Sequence, residues 1–263
     1  MDSETARPEV SATVNFKTIT ECDLWLVAHS VLNQPYDDDS LDFFPCSAAR
    51  VSFGMEDKTG QNGAKDIKLM KYLADHEHLS PFEHQSATFL IEVPLFIRSQ
   101  IMRHRTFAYN EISRRYTDEN LEFWVPEFFR KQAASNRQAS TDEKVEPFIL
   151  APPGDIEAYE QKYGKIAKTD PVEYYKLRTK YDLGTYEDLL AAGVSREQAR
   201  AVLPQSLLTK FYMTGNLRNW AHFIRLRVDE HAQYEVRVVA ERIRDQLKAL
   251  WPNATEALLI ESK

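Results

Sequence analysis

The segment SATFLIEVPLFI, Ser86 to Ile97, alternates in polarity and is rich in branched and aromatic side chains. That pattern reads as a β-strand, with Pro94 at its end because proline cannot donate to a ladder. On either side the period changes. KDIKLMKYLADHEHLSPFEHQ sets Ile67, Leu69, Met70 and Leu73 at helical spacing, with His76, Glu77 and His78 at the helix exit. Ser80 then reads as a cap ahead of Pro81 at a first helical position. RSQIMRHR resumes helical spacing after the strand, and YEDLLAAGVSREQARAVLP is helical from Tyr186, with Ser195 as N-cap and Pro204 as a break. One long helix is expected from about Leu217 to Leu250. Strands among helices, with no internal repeat, predict an α/β (α+β) chain: a mixed sheet flanked by long helices.

The remaining stretches are less regular. Residues 1–13 are polar and aperiodic and read as a flexible leader to a single domain over 14–263. GMEDKTGQNG reads as a turn or mobile loop, FWVPEFFRKQ as carrying exposed aromatics, and PFILAPPGD as a proline-rich loop in an irregular span from Asp118 to about Tyr181.

Composition narrows the function classes. A formal charge of -7 argues against non-specific nucleic-acid binding, which draws on a net basic footprint, so any anion has to be met by a local cluster. Two cysteines, Cys22 and Cys46, build neither a disulfide framework nor a cysteine-rich zinc site, and the default compartment is a reducing cytoplasm. No apolar run approaches the ~20 residues of a membrane span, and no export signal opens the chain. The eight glycines form neither GxGxxG nor a P-loop, and no GxSxG elbow occurs. Any dinucleotide therefore binds in a non-Rossmann manner.

Against that acidic total, RHRTFAYNEISRRYT concentrates Arg103, Arg105, Arg114 and Arg115 within fifteen residues, Arg103 to Thr117. Their planar forks suit phosphate, and Asn110 with Glu111 supplies the donor and acceptor edges that read a flat heterocycle. An exposed basic helix balanced by acidic neighbours is the plain alternative. Interleaved Tyr109, Ile112 and Tyr116 favour partial burial, where arginines need anionic partners.

In NLRNWAHFIRLRVDEHAQYE, Asn216 to Glu235, helical spacing puts Arg218, His222, Arg225 and Asp229 on one face and Leu217, Trp220, Ile224 and Val228 on an apolar stripe. Arg227 falls beside Trp220 and His231, roughly 180° around from Arg218. It is either a paired core charge or a ligand group at an interface. In HEHLSPFEH, His76, His78, Glu83 and His84 raise a metal site, but HxH spacing is weak without an HExxH helix, and helix-end histidines bonded to backbone are the plainer reading. His29 reads as structural. A metal-dependent nucleotide hydrolase built on His76, His78 and His84, and an RNA-binding module stacking bases on Tyr109 and Tyr116, are the rival functions.

The stretch RHRTFAYNEISRRY, with Arg-His-Arg followed after seven residues by Ser113, resembles the signature of the flavin-dependent thymidylate synthases. HLSPFEH, ARAVLP and NLRNWAHFIRLRVDEHAQYE resemble that family's other blocks in the same order, so the likeness runs from about Ser47 to Ala257, with residues from about Thr141 to Pro171 matching poorly. The resemblance implies a homotetramer whose active sites combine several chains. It also implies FAD held in extended form, and reductive methylation of dUMP to dTMP with methylenetetrahydrofolate as one-carbon donor and NADPH as reductant. Neither nucleic acid nor membrane is an implied partner.

Carried over by motif, Ser52, His78, Ser80, Arg103, His104, Arg105, Glu111, Asn216, Arg218 and His222 are implied flavin ligands. Gln100, Arg103, Ser113, Arg115, Arg200 and Arg227 are implied nucleotide ligands, with no metal. Carbon 5 of uracil is a poor nucleophile, and the familiar remedy is a thiolate added at carbon 6. Neither cysteine lies in a matched block. Ser113 looks nucleophilic by motif but has no evident base, so a binding role is expected of it. Arg227 at a uracil carbonyl would instead stabilise charge developing on the ring.

Overall fold

The computed structural model describes residues 14–31, 38–54, 63–134, 136–137, 139–149 and 168–259. The leader at 1–13, most of GMEDKTGQNG and most of the proline-rich loop lie outside the described residues. Packing divides the chain into two units. One comprises residues up to Glu21 with Ser113–Leu208, the other Cys22–Ile112 with Thr209–Lys263.

The second unit holds the main sheet, four strands in the order β2-β3-β10-β4: Leu24–His29, Ser86–Pro94, Leu208–Asn216 and Ala108–Glu111. The pairs β2/β3 and β10/β4 are antiparallel. The predicted strand is the central β3, and it ends at Pro94. Ala87, Phe89, Ile91 and Val93 turn one face into the core, each at most 1% exposed. Helices α1 (Phe44–Arg50), α2 (Gly63–Asp75), α3 (Leu95–Ile101), α6 (Leu217–Val228), α7 (Tyr234–Leu250) and α8 (Pro252–Leu259) complete the unit.

Helix α6 buries Leu217, Trp220 and Ile224 of the predicted stripe, while Val228 at its last residue is only half-buried. Trp220 stacks edge-on against Phe89 and Phe107, with centroids at 5.0 and 4.6 Å, and its indole N–H donates to the Ala87 carbonyl at 3.2 Å. A buried indole keeps its place only when that donor is satisfied. Helix α7 buries Val236, Val239, Ala240, Ile243 and Leu247, one stripe at helical period. Its Gln246 accepts the Leu26 N–H at 2.7 Å beside the bulge in β2, satisfying a backbone donor on an edge strand. Asp42 caps α8 from a distance, its two oxygens accepting the Asn253 and Ala254 N–H groups at 3.0 and 2.8 Å. An anion there answers the positive end of the helix dipole.

Among the described residues the first unit is built from short strand pairs and two helices. Strands β1 (Asn15–Lys17) and β5 (Glu122–Trp124) pair in parallel, while β6 (Arg130–Gln132) pairs with β7 (Ser140–Lys144) and β8 (Phe148–Ile149) with β9 (Lys168–Thr169) antiparallel. Helix α4 (Pro171–Ala191) follows, and then the short α5 (Arg196–Ala199).

Five expectations are corrected. The long helix from Leu217 is two helices, because Asp229 leaves the helical region at ψ 141 and its carboxylate accepts the His231 N–H at 2.8 Å, closing a side-chain turn. Ser80 caps nothing. Leu79 occupies the N-cap position of the 3-10 turn Ser80–Glu83, although Pro81 sits at its start as expected. Ser195 holds the predicted N-cap position of α5, but its side chain makes no capping bond. FWVPEFFRKQ is not an exposed aromatic run: Phe123 and Trp124 are buried, and Trp124 and Phe129 pack edge-on against Tyr175 of α4 at 6.1 and 5.3 Å. That helix also begins fifteen residues before Tyr186, where Asp170 accepts the Val172 and Glu173 N–H groups ahead of Pro171.

Gly215 in β10 is a matter of room. A Cβ there would lie 2.4 Å from the Phe107 ring, which is itself wedged on Trp220 and only 8% exposed. Gly215→Ala is therefore expected to cost about 1–3 kcal/mol by overpacking, lowering the thermal midpoint by roughly 2–10 °C. Differential scanning calorimetry of the variant against wild type checks it, and an unchanged midpoint would show that the ring has space to move.

Candidate active site

Within the second unit, α3 ends at Ile101 and a tight turn carries the Arg-His-Arg triplet into β4. The stretch is thus neither a basic helix nor evenly half-buried. Arg103 and Arg105 are exposed, while His104 between them is 9% exposed. Ile112 and Tyr116, whose interleaving favours partial burial of the stretch, are exposed, Ile112 just past the end of β4 and Tyr116 in the turn that follows. Tyr109 staples the turn, its hydroxyl donating to the His104 carbonyl at 2.8 Å with the Ile101 carbonyl at 3.2 Å. Burial pushes that phenol up to about 12, so it stays a donor at neutral pH.

Helix α6 delivers Arg227 to this turn. Its Nε–H donates to His104 Nε2 at 3.1 Å and its Nη2 to the Gln100 carbonyl at 3.2 Å. Both acceptors are neutral, and among the described residues no carboxylate pairs with this half-buried guanidinium. Burial pulls its pKa below the usual arginine range. His104 is pushed down to about 4, first by burial, then by the Arg227 charge and by His222. An imidazole accepting at Nε2 carries its proton on Nδ1. Two of five guanidinium N–H groups are used, so about three remain to meet a ligand.

Further donors lie along α6 and the turns packed on its start. The His222 ring lies 6.0 Å from His104, T-shaped. Arg218, one turn earlier on α6, is paired with Glu83, which ties the 3-10 turn of Ser80 to the start of α6. His78 is exposed beyond α2 and stacked with His76, with centroids at 6.5 Å. Asn216 caps α6, accepting the Asn219 N–H at 2.9 Å. The structure thus groups Gln100, His104, Arg227, Arg218, His222 and the Ser80 turn. Arginine forks, imidazoles and a helix N-terminus without a glycine loop form a donor set that fits an extended, phosphate-bearing cofactor.

Other expected ligands lie elsewhere. Glu111 on β4 is engaged by Arg98 at 3.0 and 2.5 Å and by the Thr209 hydroxyl at 2.7 Å, a knot that braces α3 against the sheet. Ser52 sits exposed in the 3-10 turn Val51–Phe53, away from the cluster's hydrogen bonds. Ser113, Arg115 and Arg200 belong to the first unit. There Ser113 Oγ accepts the Arg115 N–H at 3.3 Å, Arg115 faces the Glu197 carboxylate at 3.5 Å, and Arg200 Nε donates to the Glu197 carbonyl at 3.3 Å. Glu197 thus gathers two guanidinium groups beside a hydroxyl, a surface suited to a phosphate. Arg114 is structural, donating to the Glu119 carbonyl at 2.7 Å.

The histidines of HEHLSPFEH do not converge. His76 lies on Tyr72 with centroids at 4.1 Å, and His84 packs edge-on to Phe44 at 5.7 Å. Among the described residues no three His, Cys, Asp or Glu side chains are arranged to hold a metal ion. No described helix is long and apolar enough to cross a membrane. Cys46 is fully buried, its thiol donating to the Asp66 carbonyl at 3.3 Å, and burial with the Asp66 charge pushes it up to about 12. It offers no thiolate near neutral pH. Sequence reasoning weighed Glu83 only as a metal ligand and missed Glu197, Gln233 and Glu235, since nothing local in a sequence announces which carboxylate or amide will meet a given side chain.

A family model described as thymidylate synthase complementing protein matches residues 39–253. The flavin-dependent thymidylate synthase of Thermosipho africanus is 38% identical over 218 residues, covering 83% of this chain and 86% of the relative. That of Thermus thermophilus is 38% identical over 216 residues, covering 81% and 71%. Among solved structures, a UMP/dUMP methylase, PolB, from Streptomyces cacaoi, bound with 5-Br dUMP, superposes with a TM-score of 0.71 at 28% identity, covering 93% of this chain and 96% of that one.

The pairing of Arg227 with neutral His104 has a pH signature. The folded value of about 4 lies below the ordinary 6.5, so the unfolded chain takes its proton first and stability is lost as pH falls. Full stability is present above pH 6.5, and up to about 3 kcal/mol disappears between there and pH 4. Urea unfolding across that range is expected to show the slope in wild type and a shallower one in His104→Gln, whose amide oxygen still accepts from Arg227. Equal slopes would mean that His104 takes up its proton as readily in the native state as in the unfolded chain.

Proposed function

This chain belongs to the thymidylate synthase complementing protein family, the flavin-dependent thymidylate synthases, and on that premise we propose that it methylates dUMP to dTMP. The observation that carries the reading is Arg227, a half-buried cation held by two neutral acceptors with N–H groups to spare. Methylation at carbon 5 requires electron density to move toward that carbon, with negative charge gathering on a ring carbonyl. A fixed guanidinium in a water-poor site stabilises that charge without having to reorganise. His104 and the Gln100 carbonyl aim it. No thiolate is required, in keeping with the protonated, sealed Cys46.

In this reading the nucleotide is bound by Gln100, Arg103 and Arg227 at its base and by Ser113, Arg115 and Arg200 at its phosphate, with Ser113 binding rather than attacking. FAD is held by His78, Ser80, Arg103, His104, Arg105, Asn216, Arg218 and His222, with Glu111 and Ser52 as outer contributors. When bound, FAD supplies the hydride, drawn from NADPH, while methylenetetrahydrofolate provides the one-carbon unit. His104, neutral and buried, offers Nδ1–H as a fixed donor, and Arg218 and His222 present their donors from one face of α6. The enzyme works as a homotetramer in the cytoplasm, with sites shared between subunits.

The test begins with the absorbance spectrum of the purified protein and identification of the chromophore released on denaturation. FAD that bleaches with NADPH and is reoxidised by dUMP and methylenetetrahydrofolate together, with formation of dTMP, is expected. A protein that cannot be reconstituted with FAD sinks the proposal. Arg227→Ala is expected to keep its flavin and lose turnover by about 100-fold or more. Retained turnover would move the electrostatic role to another residue.

A further inference from the structure

Gln100, Gln233 and Glu235 form a chain of three side chains outside the contacts already described. Gln100 Nε2 donates to Gln233 Oε1 at 2.5 Å, and Gln233 Nε2 donates to Glu235 Oε2 at 2.8 Å. Gln233 stands at the N-cap position of α7, yet its side chain makes no capping bond, being drawn instead toward Gln100 and Glu235. Glu235 is 5% exposed in the first turn of that helix.

An amide has two ends that differ chemically, an acceptor oxygen and a donor nitrogen, and its orientation is set by its partners. A carboxylate has no proton to give, so the Glu235 end admits only the NH2 of Gln233. That leaves the Gln233 oxygen facing Gln100, and this oxygen admits only the NH2 of Gln100. The polarity fixed at one end is therefore transmitted through two amides, and Gln100 turns its carbonyl oxygen outward. Among the described residues no donor meets that oxygen. Beside it, Arg227 is anchored on the backbone carbonyl of the same Gln100, so an acceptor and a cationic donor stand side by side.

We infer that Glu235 and Gln233 are positioning residues that set Gln100 as an obligate acceptor, and that this selects bases with an N–H next to a carbonyl, the uracil edge, over cytosine. The inference rests on the reading of this site as one for a pyrimidine nucleotide. Uracil offers its N3–H to the Gln100 oxygen and an adjacent carbonyl to Arg227. Gln100 is half-buried and Gln233 exposed, so the oxygen stands where a ligand can reach it. Cytosine presents a lone pair at N3, which would face that oxygen with no proton between them, and two acceptors set against each other leave both unpaired once the base covers them.

The relay is reversible by design. Gln233→Lys replaces the middle amide with an ammonium that donates to both neighbours, so Gln100 has to turn its oxygen inward and its NH2 outward. Calorimetric titration of the holoenzyme with dUMP and with dCMP reads the result. Wild type is expected to prefer dUMP, and Gln233→Lys to lower the ratio of the two affinities by about tenfold or more, with dUMP weakened and dCMP strengthened. A merely structural role would weaken both nucleotides together and leave the ratio unchanged, and that outcome in a folded, flavin-bearing variant overturns the proposal. Should Gln233→Lys fail to fold, Gln233→Met removes the relay without adding charge. It is expected to lower the ratio about severalfold by freeing Gln100 to present either end, and an unaltered ratio there counts equally against the relay. Wild-type protein that binds FAD but not dUMP would overturn the nucleotide reading itself, and the relay with it.

Discussion

A half-buried guanidinium compensated only by neutral groups is the constraint on which the rest of this site depends. Desolvating a cation is costly, and a protein ordinarily meets that cost with a carboxylate. Here the acceptors are the imidazole of His104 and a backbone carbonyl, so the positive charge is solvated in part but not cancelled. The arrangement holds only while His104 stays neutral, and His104 stays neutral because it is sealed against Phe223, with ring centroids at 4.9 Å, and because its turn is pinned by Tyr109. Core packing and site electrostatics are therefore one problem, solved by the same few residues between α3 and β4.

The other arginines show how selective this is. Arg98 is neutralised by Glu111, Arg50 by Asp66, Arg218 by Glu83 and Arg115 by Glu197. Of these, Asp66 is fully buried and Glu111 is tied by a second donor, so those two pairs act as braces. Glu83 and Glu197 are more than one-third exposed, and a phosphate can displace a surface carboxylate of that kind at little cost. Net charge alone says nothing of this division. An acidic chain still presents anion sites wherever its carboxylates are the weaker partner.

Much of the architecture is legible in the sequence because period is a local property. The alternation of Ser86–Pro94 and the stripe of Leu217, Trp220, Ile224 and Val228 are set by which faces meet the core, and the spacing holds for all but Val228, which is half-buried at the helix end. The break at Asp229 escapes such a reading because its cause is a side-chain turn that leaves the apolar period intact on either side, so spacing runs through it unchanged. The aromatics of β5 mislead for the opposite reason: their cover comes from α4, about fifty residues later in the chain. In the site, residue types are legible from motif and partners are not. Spacing leaves Arg227 open between a paired core charge and a ligand group, and the structure shows a cation buried like the first and uncompensated like the second.

The contact of Phe107 with Gly215 carries a consequence for descent. The ring occupies the space that any side chain at 215 would need, and the same ring backs Trp220, on whose helix Arg227 is carried. Neither position can drift alone. A lineage that acquires a Cβ at 215 must already have a smaller residue at 107, and one that shrinks 107 first opens a void under the helix that bears the cation. Inheritance thus binds the two sites as a pair, and their history should be written as joint steps or as none.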